Sequence, residues 1–309
     1  MSWLIKPLEI HRKLIGDHIR NDAFFSAMKK VVKPKTTTVI DLGSGSGFLS
    51  FLATKSLDAK RCVLYESDPA AMSLSKELAH NNKITNLIFR NQDSREVKKS
   101  PHKGEVVISE TLGTYALEEN ILETLRHGRE FLTPDGIIIP GILRQYVAPV
   151  ISSEPNDTVV GPWSSAATRY DLNLTAASKR SASNMYSLKI KPEQLGGDRR
   201  MFDEIDFNRD PVEQLKSVRK SPECTVYGFC VWWDAELVKG VTLSTSPYSE
   251  MTHWEQCYLP LHPTLKCDGE DVVSLTIESD SSNNEGCLVD WTTTQKKNGR
   301  VIARSTNKT

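Results

Sequence analysis

The chain has 309 residues, 39% hydrophobic and 25% charged, enough for two domains with cores of their own. Its 39 basic side chains are cancelled by 39 acidic ones, so no basic excess marks a nucleic-acid surface, and no run approaches the roughly eighteen apolar residues of a membrane span. The start, "MSWLIKPLEIHRK", holds no apolar stretch of signal-peptide length, and six scattered cysteines without a C-x-x-C pair argue against a disulfide framework or a zinc site. Reduced thiols in a cytoplasm are the expectation, with no membrane, no nucleic acid and no metal.

In chain order the first half alternates strand and helix. "TTTVIDLG" reads as a strand, "FLSFLATKSL" as a helix, "CVLYES" as a strand and "PAAMSLSKELAHNN" as a helix. "NLIFRN" and "EVVISE" are strands, and "ENILETLRHGREFL" carries apolar residues at helical spacing. That pattern predicts an α/β fold with a Rossmann-like, doubly wound sheet over residues 1–140. Near Pro140 the texture changes to short β-rich runs parted by Pro, Gly, Asn and Ser, among them "LRQYVAPV", "MYSLKIKP", "TVYGFCVWWDAEL", "GVTLST", "VVSLTIESD" and "GCLVDWTTT". Residues 141–309 are therefore expected to form an all-β, barrel-like domain. "ISSEPND" and "SDSSNNEG" read as surface turns and "QKKNGRVIARSTNKT" as a frayed tail.

Chemistry concentrates at three strand ends. "VIDLGSGSGFLS" sets Asp41, Gly43, Gly45 and Gly47 between the first strand and helix, where glycines let backbone approach a ligand and turn sharply. A dinucleotide site would read G-x-G-x-x-G and present a helix terminus to a pyrophosphate. Here an aspartate stands before G-x-G-x-G; it would repel a pyrophosphate and suits the ammonium or sulfonium end of S-adenosyl-L-methionine. Glu66 closes the second strand at about the 20-residue interval where an acid takes ribose hydroxyls. Asp93, after the third strand, is placed toward the adenine. The apolar run Val106, Val107, Ile108 ends in Glu110, at the sheet edge where ligands bind in open α/β folds.

Together "DLGSGSGFLS", "YES", "SETLGTYALEE" and "THWEQ" resemble, in order, the cofactor loop, ribose acid, double-glutamate loop and threonine-histidine-tryptophan loop of protein arginine methyltransferases. The resemblance runs from residue 11 to 293. "HRKLIGDHIRNDAF" is similar to the family helix whose arginine lies on the cofactor carboxylate, which implies that role for Arg20. The family also implies that Glu110 and Glu119 clamp a guanidinium, a planar cation whose donor fork suits two carboxylates. Glu118 is the alternative second clamp, and a helix dipole by itself favours both Glu118 and Glu119 in a first turn whatever the substrate. His253 becomes the residue that accepts or relays the departing proton, with Asp17 orienting it, Trp254 walling the pocket and Thr252 holding the loop.

Two features depart from the family. "MSWLIKPLEIH" offers Trp3 as its one aromatic and too few residues ahead of Arg20 for the usual lid helix, which predicts a wetter site. "NMYSLKIKPEQLGGDRRMFDEIDF", with Gly196 and Gly197, falls where the family carries a dimerisation arm and is expected to be an exposed excursion of a homodimer. The resemblance implies methyl transfer to an arginine of a protein or peptide, or to a small guanidino or amino compound. Base methylation is disfavoured by Ser109-Glu110-Thr111-Leu112 where an Asn/Asp-Pro-Pro-aromatic run would stand. A noncatalytic subunit is the reading of another class.

Overall fold

A computed structural model describes residues 7–209, 217–220, 223–281 and 287–307. Two helices lead, α1 (Pro7–Gly16) and α2 (His18–Val31), the second capped by Asp17, whose carboxylate accepts from the Arg20 backbone N–H at 2.9 Å. There follow β1 (Thr38–Leu42), α3 (Phe48–Phe51, running on through a wider turn over Leu52–Ser56), β2 (Arg61–Tyr65), α4 (Pro69–Asn81), β3 (Leu87–Arg90), β4 (Gly104–Ile108), α5 (Ile121–Gly128) and β5 (Leu132–Ile139). The five strands pair in parallel in the order β3-β2-β1-β4-β5. Val39 to Leu42 and Val106 to Ile108 are buried, as strands covered on both faces require. Order reverses between β1 and β4, so Asp41 and Glu110 come to the same crevice at the carboxyl edge.

From β6 (Ile142–Val150) onward the pairing is antiparallel. After β6 come α6 (Glu154–Val159), α7 (Gly161–Tyr170), α8 (Thr175–Ser181), β7 (Tyr186–Leu188), β8 (Arg200–Asp206), β9 (Ser217–Lys220), β10 (Glu223–Val238) and β11 (Val241–Ser244). β12 (Gln256–Asp268), β13 (Val272–Asp280), β14 (Leu288–Lys297) and β15 (Arg300–Asn307) complete the described elements. One sheet runs β7-β12-β10-β6-β8 with β11 beside β10; the other runs β15-β14-β13-β9. Gln295 ties them, its amide donating to the Lys266 carbonyl and the Asp271 carboxylate, both at 2.8 Å. The main apolar core continues from Val39, Ile40 and Val107 into Trp233, Leu259 and Trp291, and a smaller one gathers Val150, Trp232 and Tyr258.

Several expectations are corrected here. The second half is not all β: "ISSEPND" opens α6 instead of turning, because Pro155 stands in the first turn, where its missing N–H costs no hydrogen bond. The exposed excursion is this α6–α8 stretch, while "NMYSLKIKPEQLGGDRRMFDEIDF" supplies β7 and β8, paired to β12 and β6. The tail is not frayed, since β15 pairs with β14 around Asn298 and Gly299, both at positive φ. Of "SDSSNNEG", residues 282–286 lie outside the described residues, as does Trp3.

Candidate active site

The crevice is a cleft of about 590 Å³ reached by Arg20, Asp41, Gly43, Gly45, Glu66, Asp93, Glu110, Glu119 and His253. Glu118 and Trp254 line it too, whereas Gly47, Asp17 and Thr252 do not. The three glycines sit at positive φ, +72°, +53° and +83°. At Gly45 a Cβ would come within 2.6 Å of the His11 ring, and at Gly47 within 2.8 Å of the Phe51 ring, so the loop is packed from both sides.

His11 belongs to α1, which also brings Ile10, Leu14 and Ile15 to the cleft. The expectation of too short a lead for a lid is therefore corrected: the ten residues Pro7–Gly16 form a helix over the glycine loop. Sequence reasoning missed His11, although its spacing to Leu14 and Ile15 places all three on one helical face.

Asp41 is buried and accepts from the Ser50 hydroxyl at 2.6 Å. Burial pushes its carboxyl up to about 7, the Ser50 bond opposes this, and the nearby Glu66 adds to it. Arg20 opposes the rise only weakly, and an ammonium or sulfonium in the cleft would favour the ionised acid further. The Glu66 carboxylate receives the Gly45 N–H at 2.7 Å and the Asp68 N–H at 2.8 Å, which ties the acid at the end of β2 to the glycine loop. Asp93 also faces the cleft, held by the Arg95 guanidinium at 2.7 Å, and its carboxyl is lowered chiefly by that bond. The donor set thus fits the cofactor: acids at the cationic and ribose ends, and a glycine cradle that side chains would fill.

The two clamp candidates resolve differently. Glu110 is buried and holds the Arg20 guanidinium, whose Nε donates to Oε2 at 2.7 Å and whose Nη2 reaches the same oxygen. Glu118 turns onto its own loop and accepts the Tyr115 N–H at 3.2 Å. Glu119 is the acid that senses Glu110. Its carboxyl is pushed up to about 7, first by surrounding protein and then by Glu110 and Glu118, with Arg20 opposing. Water still reaches Glu119 through the open cleft.

Across the cleft, His253 Nδ1 lies 2.7 Å from Asp17 Oδ2, which also accepts the His253 backbone N–H at 2.9 Å. Burial raises the Asp17 carboxyl, but hydrogen bonds from His253 and Arg20 outweigh it and hold the group at about 2. Asp17 therefore stays ionised, keeps a proton on Nδ1 and leaves Nε2 free to accept one. Trp254 packs against the His253 ring with centroids 3.9 Å apart. The Thr252 hydroxyl is buried and has no hydrogen-bond partner among the described residues, so the loop-holding role expected of Thr252 is not carried by a side-chain bond.

Residues 15–158 match the family model of ribosomal protein L11 methyltransferase, and residues 144–294 match that of the arginine methyltransferase oligomerization subdomain. Protein arginine N-methyltransferase 6 of Xenopus tropicalis is 25% identical over 287 residues, which cover 86% of this chain and 82% of that protein. Arginine N(omega)-methyltransferase of Streptomyces achromogenes subsp. streptozoticus is 25% identical over 275 residues, 86% of this chain and 75% of that one. The fold is similar to a chain of the Trypanosoma brucei PRMT1 enzyme-prozyme heterotetrameric complex with AdoHcy, with a TM-score of 0.84 at 18% identity over 97% of both chains. Arabidopsis thaliana protein arginine methyltransferase 10 follows at 0.76 and 19%, over 96% of this chain and 97% of that one. With glycine loop, ribose acid and paired glutamates in one cleft and Asp17 bonded to His253 at its edge, this chain is similar to protein arginine methyltransferases over most of its length, and its residues 144–294 match their oligomerization subdomain.

Proposed function

We propose that this chain is an S-adenosylmethionine-dependent N-methyltransferase that methylates a guanidinium nitrogen held between Glu110 and Glu119. One observation carries the reading: the cleft already grips a guanidinium, that of Arg20, on Glu110, with Glu119 close enough to feel its charge. When bound, S-adenosylmethionine supplies the electrophilic methyl group.

The chain's residues account for the rest. Arg20, which lines the cleft, would hold the cofactor carboxylate; Asp41 and Glu66 would receive its ammonium and ribose, and Asp93 would lie toward its adenine. Glu110 and Glu119 orient the acceptor and draw positive charge toward the nitrogens they touch, leaving the third nitrogen richer in electrons and aimed at the methyl. The nitrogen loses one proton as the N–C bond forms, and His253 Nε2, braced by Asp17, receives it. The test is transfer of labelled methyl to arginine-containing peptides, with hydrolysis to locate the label. Label on lysine or histidine, or no binding of the cofactor, sinks the reading. A free guanidino compound is the second reading, favoured by the Streptomyces relative's printed name, and the same assay with free arginine decides between them. Cysteine usage supports a reducing, cytoplasmic setting.

Glu119 makes the reaction pH-dependent. Its folded pKa lies above the ordinary carboxylate value, so the folded chain keeps a proton that the unfolded chain has lost. Its contribution to stability is full below about pH 4.5 and disappears as pH rises through about 7. Activity runs the other way, since only the ionised clamp binds the cation. At saturating cofactor, kcat/KM for the acceptor is expected to rise tenfold per pH unit below a limb at or under about 7. Glu119→Gln is expected to abolish the limb; a limb unchanged in that variant assigns it elsewhere.

A homodimer is also proposed, seated on α6–α8. No residue of α7 is buried, and Tyr170 and Leu172 are 64% and 55% exposed beside the half-exposed Trp163. These apolar groups stand on an excursion inside the segment that matches the oligomerization subdomain. Analytical ultracentrifugation is expected to give a dimer that Tyr170→Glu with Leu172→Glu converts to monomer. A wild-type chain that sediments as a monomer at tens of micromolar defeats this proposal.

A further inference from the structure

The ten residues from Glu110 to Glu119 carry both clamp acids, yet most of them belong to a loop and not to a helix or strand. Their geometry therefore depends on what grips the loop. Two consecutive carbonyls in it are held from the antiparallel half of the molecule. The Trp254 indole N–H donates to Leu112 O at 2.6 Å, and the Trp233 indole N–H donates to Gly113 O at 3.0 Å. The two indoles meet edge to face, centroids 5.0 Å apart at 73°. Gly113 packs directly on the Glu118 side chain, so displacement of its carbonyl displaces the segment leading to Glu119.

Trp233 is itself immobile. It lies on β10 between β6 and β11, is 1% exposed, donates its backbone N–H to Thr245 Oγ1 at 3.1 Å and accepts the Thr245 N–H on its carbonyl at 2.9 Å. We propose that Trp233 is a positioning residue for the acceptor clamp, its indole N–H fixing the Gly113 carbonyl and with it the separation of Glu110 and Glu119. Trp233 touches neither cofactor nor acceptor; it acts through the loop. The functional part of this inference rests on the guanidinium clamp proposed above, whereas the structural part does not.

The neighbouring Trp232 supplies the control. It is equally buried on the opposite face of β10, stacked on Tyr146, and its indole nitrogen has no partner among the described residues. Trp233→Phe and Trp232→Phe thus shrink the same ring on the same strand, and only the first removes a bond to the loop. Hydrogen exchange of the full chain, read by mass spectrometry on peptides spanning 110–119, is expected to quicken about tenfold or more in Trp233→Phe and to stay at the wild-type rate in Trp232→Phe. In kinetics with an arginine peptide, Trp233→Phe is expected to raise the acceptor KM about tenfold, lower kcat less than about threefold and leave the dissociation constant for S-adenosylhomocysteine within about twofold. Equal exchange in the two variants, or a cofactor affinity that falls with the acceptor's, overturns the proposal. Wild-type protein that never methylates arginine defeats the proposed function instead, and the exchange comparison still judges Trp233. Should Trp233→Phe not fold, the assigned indole proton of Trp233 in the wild-type chain decides: exchange as fast as that of a free indole in water overturns the proposal.

Discussion

Replacing Glu110 by glutamine is expected to lower methyl transfer about 10²- to 10³-fold, the loss typical of one preorganised electrostatic group. The structure adds a second consequence. Arg20 and Glu110 are both buried, with side chains 7% and 4% exposed, and form a close ion pair. Glutamine keeps an acceptor for the guanidinium but removes the charge, so Arg20 is left as a buried cation. Breaking such a pair costs about 3–5 kcal/mol, and the retained hydrogen bond places this variant at the low end. The cofactor carboxylate offers Arg20 a new partner, so the thermal stabilisation by S-adenosylhomocysteine is expected to be larger in Glu110→Gln than in wild type. Glu119→Gln is expected to lose activity similarly without that instability, because no cation among the described residues hydrogen-bonds to Glu119. Thermal melts of both variants with and without ligand, beside the transfer assay, check this. Equal destabilisation of the two refutes the assignment of Arg20 to Glu110.

Gly47→Ala is expected to destabilise the chain by about 2–5 kcal/mol and to weaken the cofactor site. Two costs combine. The residue sits at φ +83°, where a Cβ costs roughly 1–2 kcal/mol. The new methyl would also stand 2.8 Å from the Phe51 ring and press on the Ser75 hydroxyl, an overpacking worth about 1–3 kcal/mol. Gly299→Ala separates the two, since that glycine has a similar φ of +77° in the β14–β15 turn and nothing within 4 Å of its Cβ position. It is expected to cost only the conformational part, and denaturant unfolding of the two variants measures the difference. A Gly47→Ala loss no larger than that of Gly299→Ala shows that the loop yields, and the tight cradle is then not required.

Much of this protein is legible in its sequence because the information is local. Val106 to Ile108 can only be a strand buried on both faces, and the switch between β1 and β4 follows from alternating strand and helix, so Asp41, Glu66 and Glu110 are placed at one sheet edge before any coordinates. The Asp17–His253 pairing follows from the family pattern and holds at 2.7 Å across 236 positions of sequence. Local reading failed where composition imitates something else. Pro155 and its polar neighbours have the make-up of a turn, yet proline is equally at home in a helix's first turn, and the carboxy-terminal run is polar only because one face of β15 meets solvent.

Other features exist only in three dimensions. Glu118 and Glu119 are neighbours with the same chemistry; the turn at Gly113 folds the Glu118 carboxylate onto its own backbone, while Glu119 lines the cleft within the electrostatic reach of Glu110. The cover that α1 lays on Gly45 is a matter of helix packing, and the Arg20–Glu110 bond joins residues 90 positions apart. The hold of Trp233 on Gly113 spans 120 positions and joins the antiparallel half to the parallel one. Most of the acids and glycines of the cleft are readable from the chain, because strand ends and glycine turns are written locally. The bonds of Arg20 to Glu110 and of Trp233 to Gly113 are not, because a buried guanidinium or carbonyl must find its partner wherever the packed chain brings one within about 3 Å.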